Sequence, residues 1–200
     1  MYSKHPFEPY IPENATKLII GTIPPARFCF NENSEKGQLL DEDIDFYYGS
    51  KDNKFWTILG ELFNLDYLDV DGIIQKRKAF LKEQKIGITD IINICERENK
   101  SALDTKLNIT ELKDITRLLI DNTSIDTLIY TSEFVKSQVN KISRSYHTID
   151  LFDKKKQTTI IGNKKYDVWI LYSPSPTALR NMGFKGNEKR LEQYRKVFGL

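Results

Sequence analysis

The sequence predicts a three-layer α/β/α sandwich around a central, mainly parallel sheet of four strands. Short apolar runs closed by glycine, proline or serine alternate with segments whose apolar residues recur at helical spacing. That alternation is the mark of strand–helix–strand units and a parallel sheet. The chain has 200 residues, 40% hydrophobic and 29% charged, which suits one globular domain over 1–200 that can bury a substantial core. No internal repeat, linker or low-complexity tract divides it.

The elements follow in order. Lys17–Thr22 (KLIIGT) is an apolar run closed by glycine, hence a buried strand. Residues 26–52 have no period and read as a long loop, which in compact domains is either functional or disordered. Over Lys54–Phe63, the spacing of Phe55, Ile58, Leu59, Leu62 and Phe63 predicts a helix, and Phe55 and Trp56 are assigned to the core. Asp71–Gln84 is a second helix, and Gly87–Ile94 a short strand or extended turn. Thr110–Ile120 reads as a helix with Leu112, Ile115, Leu118 and Leu119 on one face. Asp126–Tyr130 is a buried strand, followed by Ser132 as the cap of a helix over Glu133–Ile142. Tyr146–Leu151 is a strand candidate. Gln157–Ile161 and Tyr166–Tyr172 flank Gly162-Asn163 as a hairpin or strand pair. Ser173–Met182 is a Pro/Ser loop, and Asn187–Phe198 a closing helix.

Composition excludes several classes. No apolar run approaches the roughly 18 residues of a membrane span, and the start MYSKHPFEPYIPEN lacks the apolar stretch of a signal peptide. A cytoplasmic protein is expected. The two cysteines, Cys29 and Cys95, lack metal-ligand spacing and read as reduced thiols, so no metal site is expected. Net charge is +2 but uneven: residues 1–140 carry 17 Lys/Arg against 23 Asp/Glu, and residues 141–200 carry 13 against 5. A basic end suggests a side that faces a polyanion; a solvated lysine-rich surface is the plainer alternative.

Two loops stand out, because ligands of such sheets bind where strands end. The first leaves the strand at Gly21-Thr22-Ile23-Pro24-Pro25. The second follows Tyr172 as Ser173-Pro174-Ser175-Pro176. Between them in the chain, an aromatic loop ends at Asn53-Lys54-Phe55-Trp56 and runs directly into a helix. Backbone amides, a flat aromatic ring and an amide side chain together suit a planar ligand, a phosphate and one oriented water.

These segments resemble the uracil-DNA glycosylase superfamily. GTIPP at 21–25 resembles its opening Gly-x-x-Pro turn. YYGSKDNKFWTILGELF at 47–63 is similar to the aromatic-x-x-x-x-Asn-x-Phe-Trp segment of its mismatch-specific and hypoxanthine branches. GITDIINICERENKSALDTKL at 87–107 is similar to a hypoxanthine-branch block, and SPSPTALRN at 173–181 to the closing Ser/His-Pro-Ser-Pro motif. The four blocks occur in family order.

The resemblance implies an enzyme that extrudes a damaged base from DNA and hydrolyses its N-glycosidic bond, without metal or organic cofactor, as a monomer. Extrusion costs a few kcal/mol and is cheapest at a lesion or mismatch. The uracil branch carries an Asp, and the mismatch branch an Asn, at the third opening position. Here Ile23 can neither accept a proton nor orient a water. The hypoxanthine branch credits the Asn of Asn-x-Phe-Trp with positioning the water, which implies Asn53. Asp52 is the neighbouring carboxylate and a second candidate. Either could instead cap the helix that opens at Lys54. Tyr48 falls at the base-stacking position, with loop-to-core packing as its alternative. Gly21, Thr22, Ile23 and Pro24 would line the base with Ser173, which stands where the uracil branch has a His donor.

On the same resemblance, Ser175 and Pro176 belong to the DNA-gripping loop. Leu179 or Met182 would be the wedge that fills the stack, or ordinary core. Arg180, Lys185, Lys189 and Arg190 would hold phosphates, or form a solvated helix start. Asp90, Glu96 and Arg97 would shape the loop behind the pocket through an ion pair, and Asp104 matches the same block. His5 and His147 match no motif and read as surface or packing residues. With Ile23 and Ser173 at the usual polar positions, a slow enzyme with little preference for uracil is expected. Two rivals are a catalytically inactive DNA-binding protein of the same fold, and a nucleotide-processing enzyme, the latter weakened by the lack of a Gly-x-x-x-x-Gly-Lys-Ser/Thr loop.

Overall fold

The computed structural model describes residues 1–65, 72–98, 103, 106–143, 148–149, 156–180, 182–183 and 185–199, excluding the side chains of 143, 148, 149, 156, 179 and 180. The strand β2 (Lys17–Gly21) shows why the fold has three layers. Its residues are buried on both faces: Leu18 and Ile20 enter one core, and Ile19 enters the other. This is the period-two alternation of a strand covered on both sides.

β2 lies parallel to β3 (Ile86–Asp90) on one side and to β6 (Thr127–Tyr130) on the other. β6 pairs in parallel with β9 (Lys164–Ile170), and β9 pairs antiparallel with β8 (Lys156–Ile161). The short β7 (Thr148–Ile149) completes the order β3-β2-β6-β9-β8-β7. The central sheet is therefore mixed and six-stranded, not a four-stranded parallel one. The four parallel strands exist, but the turn at Gly162, where φ is +62°, returns β8 against β9 and extends the sheet. Of the Tyr146–Leu151 strand candidate, only Thr148–Ile149 falls within the described residues.

One core packs Phe55, Trp56, Ile58 and Leu59 of α1 (Phe55–Phe63), Phe80 and Leu81 of α2 (Ile73–Glu83), and Tyr194 and Val197 of α6 (Gly186–Phe198). The other packs Ile115 and Leu119 of α3 (Ile115–Asp121) with Val135 and Val139 of α4 (Glu133–Ser143). Ser132 Oγ accepts from Val135 N at 3.3 Å, the cap its position predicts.

A second, antiparallel sheet joins β1 (Tyr2–Lys4), β4 (Ile92–Arg97) and β5 (Leu107–Leu112) in the order β1-β4-β5. It overturns the helix expected over Thr110–Ile120. The first part of that segment pairs with β4, and α3 starts only after Asp114, whose side chain accepts from Arg117 N at 2.8 Å. The β-branched Ile109 and Thr110 favour the strand, and partner strands distant in sequence decide the matter. The ambiguous 87–94 segment is two strands: β3 ends at Asp90, Ile91 donates to Gly21 O at 2.8 Å, and the chain passes into β4.

Candidate active site

The four parallel strands end together, and a cavity of about 560 Å³ lies beyond their carboxyl ends. Thr22–Phe28 follow β2, Asp90 ends β3, Thr131 and Ser132 follow β6, and Ser173–Ala178 lie beyond β9. The long loop supplies Tyr48, Gly49, Ser50, Asp52 and Asn53, and Leu103 also lines the space. The sequence segments singled out above thus converge on one cavity, at the place where open α/β sheets bind ligands. Among the described residues, no group of three or more His, Cys, Asp or Glu could hold a metal ion, and no helix is long and apolar enough to cross a membrane.

Asn53 lies on the cavity and at the entrance to α1. Its Oδ1 accepts from Phe55 N at 2.9 Å, so it supports the first helical turn and lines the cavity at once. A carbonyl oxygen has a second lone pair, and this bond fixes its direction. Lys54 N donates to Pro174 O at 3.1 Å, tying the start of α1 to the closing loop. Asp52 is at the mouth, with its side chain 63% exposed and 3.8 Å from Arg27 Nη2.

Tyr48 has φ of +54°, a left-handed conformation that costs a bulky residue about 1–3 kcal/mol. Packing holds it there: its ring stacks on Phe55 with centroids 4.3 Å apart, and its hydroxyl donates to Thr131 Oγ1 at 3.3 Å. Burial, and then the Asp90 charge, push that hydroxyl well above the ordinary tyrosine range, so it stays a neutral donor. Gly21 makes the arrangement possible, because a Cβ there would collide with Asp90 Oδ1 and the Tyr48 hydroxyl.

Two buried arginines brace the opening turn and the closing loop. Arg97 donates to Pro24 O at 2.6 Å and to Ser3 Oγ at 3.0 Å. It therefore supports the turn behind the pocket, while Glu96 is exposed. Arg190 is only 1% exposed, with Nη2 3.4 Å from Ser175 O. This corrects its expected role as a phosphate contact: α6 turns Arg190 inward beneath the closing loop. The Ser173–Met182 segment is also not all loop, since α5 (Pro176–Arg180) opens with proline at its first position. Ser173 Oγ accepts from Ser175 N, and Ser175 Oγ from Thr177 N, both at 3.2 Å. Each hydroxyl keeps its own O–H to donate.

Pro176, Lys185 and Lys189 are exposed. Met182 is half-buried and is not among the cavity's lining residues. The side chains of Leu179 and Arg180, and residues Asp104 and His147, lie outside the described residues. Cys29 and Cys95 are buried free thiols, and burial pushes Cys29 up to about 11.

Five residues that sequence reasoning left out of the site complete it: His5, Arg27, Asp43, Lys113 and Thr131. His5 is a buried packing residue and not a surface one, and its Nε2 lies 2.8 Å from Asp90 Oδ2. Only Thr131 had a local signal, as the residue just beyond a strand end. Arg27 donates to Asp43 through Nε at 2.6 Å and Nη2 at 2.9 Å, and to Ser50 Oγ at 2.8 Å. Asp43 also accepts from Leu40 N and Lys51 N at 2.9 and 3.0 Å. Burial alone would raise the Asp43 carboxyl; the Arg27 hydrogen bonds and these two amides outweigh it and hold it at about 2.

Since the folded value lies below the ordinary one, this stabilisation is present above the ordinary value and is lost as pH falls through the folded one. Protease protection of the 40–52 loop should therefore hold at neutral pH and fall away between 3.8 and about 2. Limited proteolysis with an acid-active protease checks this, and Asp43→Asn should lack the acid step.

No known protein-family profile matches the chain. It is 31% identical over 115 residues to a hypoxanthine DNA glycosylase of Methanosarcina barkeri, a match covering 58% of this chain and 62% of that protein, so less than two thirds of the relative's length. Its fold is similar to the solution NMR structure of a candidate uracil DNA glycosylase from Methanosarcina acetivorans, with a TM-score of 0.62 and 21% identity over 99% of this chain and 97% of that one. The sequence match and the fold likeness thus point the same way, to proteins named as DNA glycosylases.

Proposed function

We propose that this protein is a monofunctional DNA glycosylase. It would excise a deaminated or mispaired base, hypoxanthine ahead of uracil, by hydrolysis of the N-glycosidic bond in base excision repair. The observation that carries the reading is the convergence of Asn53, Tyr48 and the 21–25 and 173–177 loops on one cavity at the carboxyl end of the parallel strands. Extrusion delivers a base to such a cavity. Tyr48, already backed by Phe55, offers its ring to the base, a contact worth about 1–3 kcal/mol. Asn53 holds a water through the free lone pair of Oδ1. It does not remove a proton, and catalysis rests on orientation. Thr22, Ile23 and Pro24 wall the base, and the Ser173 and Ser175 hydroxyls donate to phosphate or base oxygens. DNA is the partner. The protein acts as a cytoplasmic monomer without metal or organic cofactor.

The reading is tested by incubating the protein with labelled duplexes carrying hypoxanthine, uracil, xanthine or a G·T mismatch, then cutting abasic sites with alkali. Cleavage at one lesion supports it. DNA binding without cleavage favours the second reading, an inactive DNA-binding member of the fold, which Ile23 and Ser173 at the usual polar positions recommend.

The DNA-facing surface makes a separate prediction. Lys185 and Lys189 are exposed, whereas Arg190 is buried. A lysine that contacts phosphate contributes about 0.9 to the slope of log affinity against log salt. Lys185→Ala and Lys189→Ala should each flatten that slope by about this amount, while Arg190→Met leaves it unchanged. Fluorescence anisotropy across a salt series reads it directly.

A further inference from the structure

The ladders of the central sheet end just before the closing loop begins. β9 pairs with β8 as far as Trp169 and with β6 as far as Ile170, and Leu171 N still donates to Tyr130 O at 2.7 Å. Beyond that point a helix takes over from the strands. Gln193 of α6 accepts from Tyr172 N through Oε1 at 2.6 Å and donates from Nε2 to Ile170 O at 2.8 Å. The orientation of its amide is fixed, because a peptide N–H only donates and a peptide carbonyl only accepts. One residue of a parallel neighbour would bond this edge in the same way, to the carbonyl of one residue and the N–H two further on. A side-chain amide thus stands in for a strand. Gln193 is buried and shares one face of α6 with the buried Arg190, Tyr194 and Val197. That face also meets the carbonyls that follow. The Tyr194 hydroxyl donates to Tyr172 O at 3.3 Å, and Arg190 Nη2 to Ser175 O at 3.4 Å. Of these three side chains, Gln193 alone holds both a donor and an acceptor of the segment, so it fixes the direction in which the chain enters Ser173.

We propose that Gln193 is a positioning residue for base release: it holds the end of β9 as a strand would, and so aims the Ser173 hydroxyl into the cavity. The inference deepens the glycosylase reading and rests on it. Gln193 is not among the cavity's lining residues, whereas Ser173 is, so Gln193 acts through Ser173. The Ser173 oxygen already accepts from Ser175 N, which leaves its O–H to donate in the direction the backbone sets. Both the reach and the polarity of a glutamine are needed for this. Asparagine is one methylene shorter. Methionine has the length but neither polar group, and would leave Ile170 O and Tyr172 N without the bonds that Gln193 makes. An ionised glutamate keeps the acceptor for Tyr172 N but sets a negative charge against Ile170 O, and protonation would give it a donor again.

The test uses the full chain, a labelled duplex carrying hypoxanthine, and single-turnover rates of base release. Gln193→Met should slow release about tenfold, the scale of one good hydrogen bond, with affinity for undamaged duplex unchanged. Ser173→Ala should be slow as well, and in the double variant Gln193→Met should add nothing further. A glutamine that only stabilised the fold would act independently of Ser173, and the two effects would multiply. Gln193→Glu should be slow relative to wild type at about pH 8 and approach it towards about pH 5, because a buried carboxyl is protonated there and again donates to Ile170 O. Amide hydrogen exchange gives a readout that needs no catalysis: it should quicken at residues 171–177 in Gln193→Met while β2 and β6 stay as in wild type. Effects that multiply, unchanged exchange at 171–177, or a Gln193→Glu deficit that is the same at every pH overturn the proposal even if the wild type releases base. Faster exchange at 171–177 in Gln193→Met, with no base released by the wild type from hypoxanthine, uracil, xanthine or G·T duplexes, keeps Gln193 as the holder of the closing loop and sinks the glycosylase reading instead.

Discussion

Asn53→Ala should slow base release by about a hundredfold or more while DNA affinity stays near wild type. Losing an oriented reactant costs rate steeply, because the bound water then samples unproductive positions. The same substitution removes the acceptor that Phe55 N uses at 2.9 Å, so a loss of about 1 kcal/mol in stability should accompany it. These two effects are separable. Asn53→Ser keeps a hydroxyl that caps a helix well but is too short to hold a water in the same place. It should match wild type in melting temperature and resemble Asn53→Ala in single-turnover rate. A serine variant with wild-type rate would show that Asn53 only supports the helix.

Gly21→Ala should damage both stability and activity although it adds one methyl group. The φ of Gly21 is not positive, so the obstacle is space and not backbone conformation. The new Cβ would collide with Asp90 Oδ1 and the Tyr48 hydroxyl, and neither group can retreat cheaply. Asp90 is held by His5, and Tyr48 is pinned by its stack on Phe55 and its bond to Thr131. Overpacking of this kind costs about 1–3 kcal/mol, or roughly 2–10 °C in melting temperature for a chain of this size. Adding Tyr48→Phe should recover part of the stability, since it removes one of the two colliding atoms. Base release should stay low in both variants, because the wall of the cavity has moved. Calorimetry together with a single-turnover assay checks the pair.

Local pattern was enough to find β2, β6, β9 and most helices, and it left β3 undecided between a strand and a turn. The apolar run at 17–22, the spacing over 54–63 and the serine before 133 each encode their structure within a few residues. The loops at 21–25, 47–53 and 173–176 were legible for the same reason, as Gly, Pro, Asn and aromatic residues punctuate the strand ends. Where two interpretations shared one spacing, local pattern was insufficient. Leu112, Ile115, Leu118 and Leu119 fit a helix face, yet Leu112 closes a strand, because Leu107–Leu112 can pair with Ile92–Arg97.

By itself, then, the sequence determined the α/β alternation and the strand-end loops, because these depend on neighbours in the chain, while the candidacy of Asn53 and Tyr48 came from the resemblance of their segment to a known motif. Tertiary structure alone decided which charges are buried and whom they meet. It turned Arg190 under the closing loop, joined the hairpin read from the sequence to the parallel strands, and brought His5, Asp90 and Lys113 into one hydrogen-bonded chain. Those contacts join positions up to 108 residues apart, and no local periodicity records a partner at that distance.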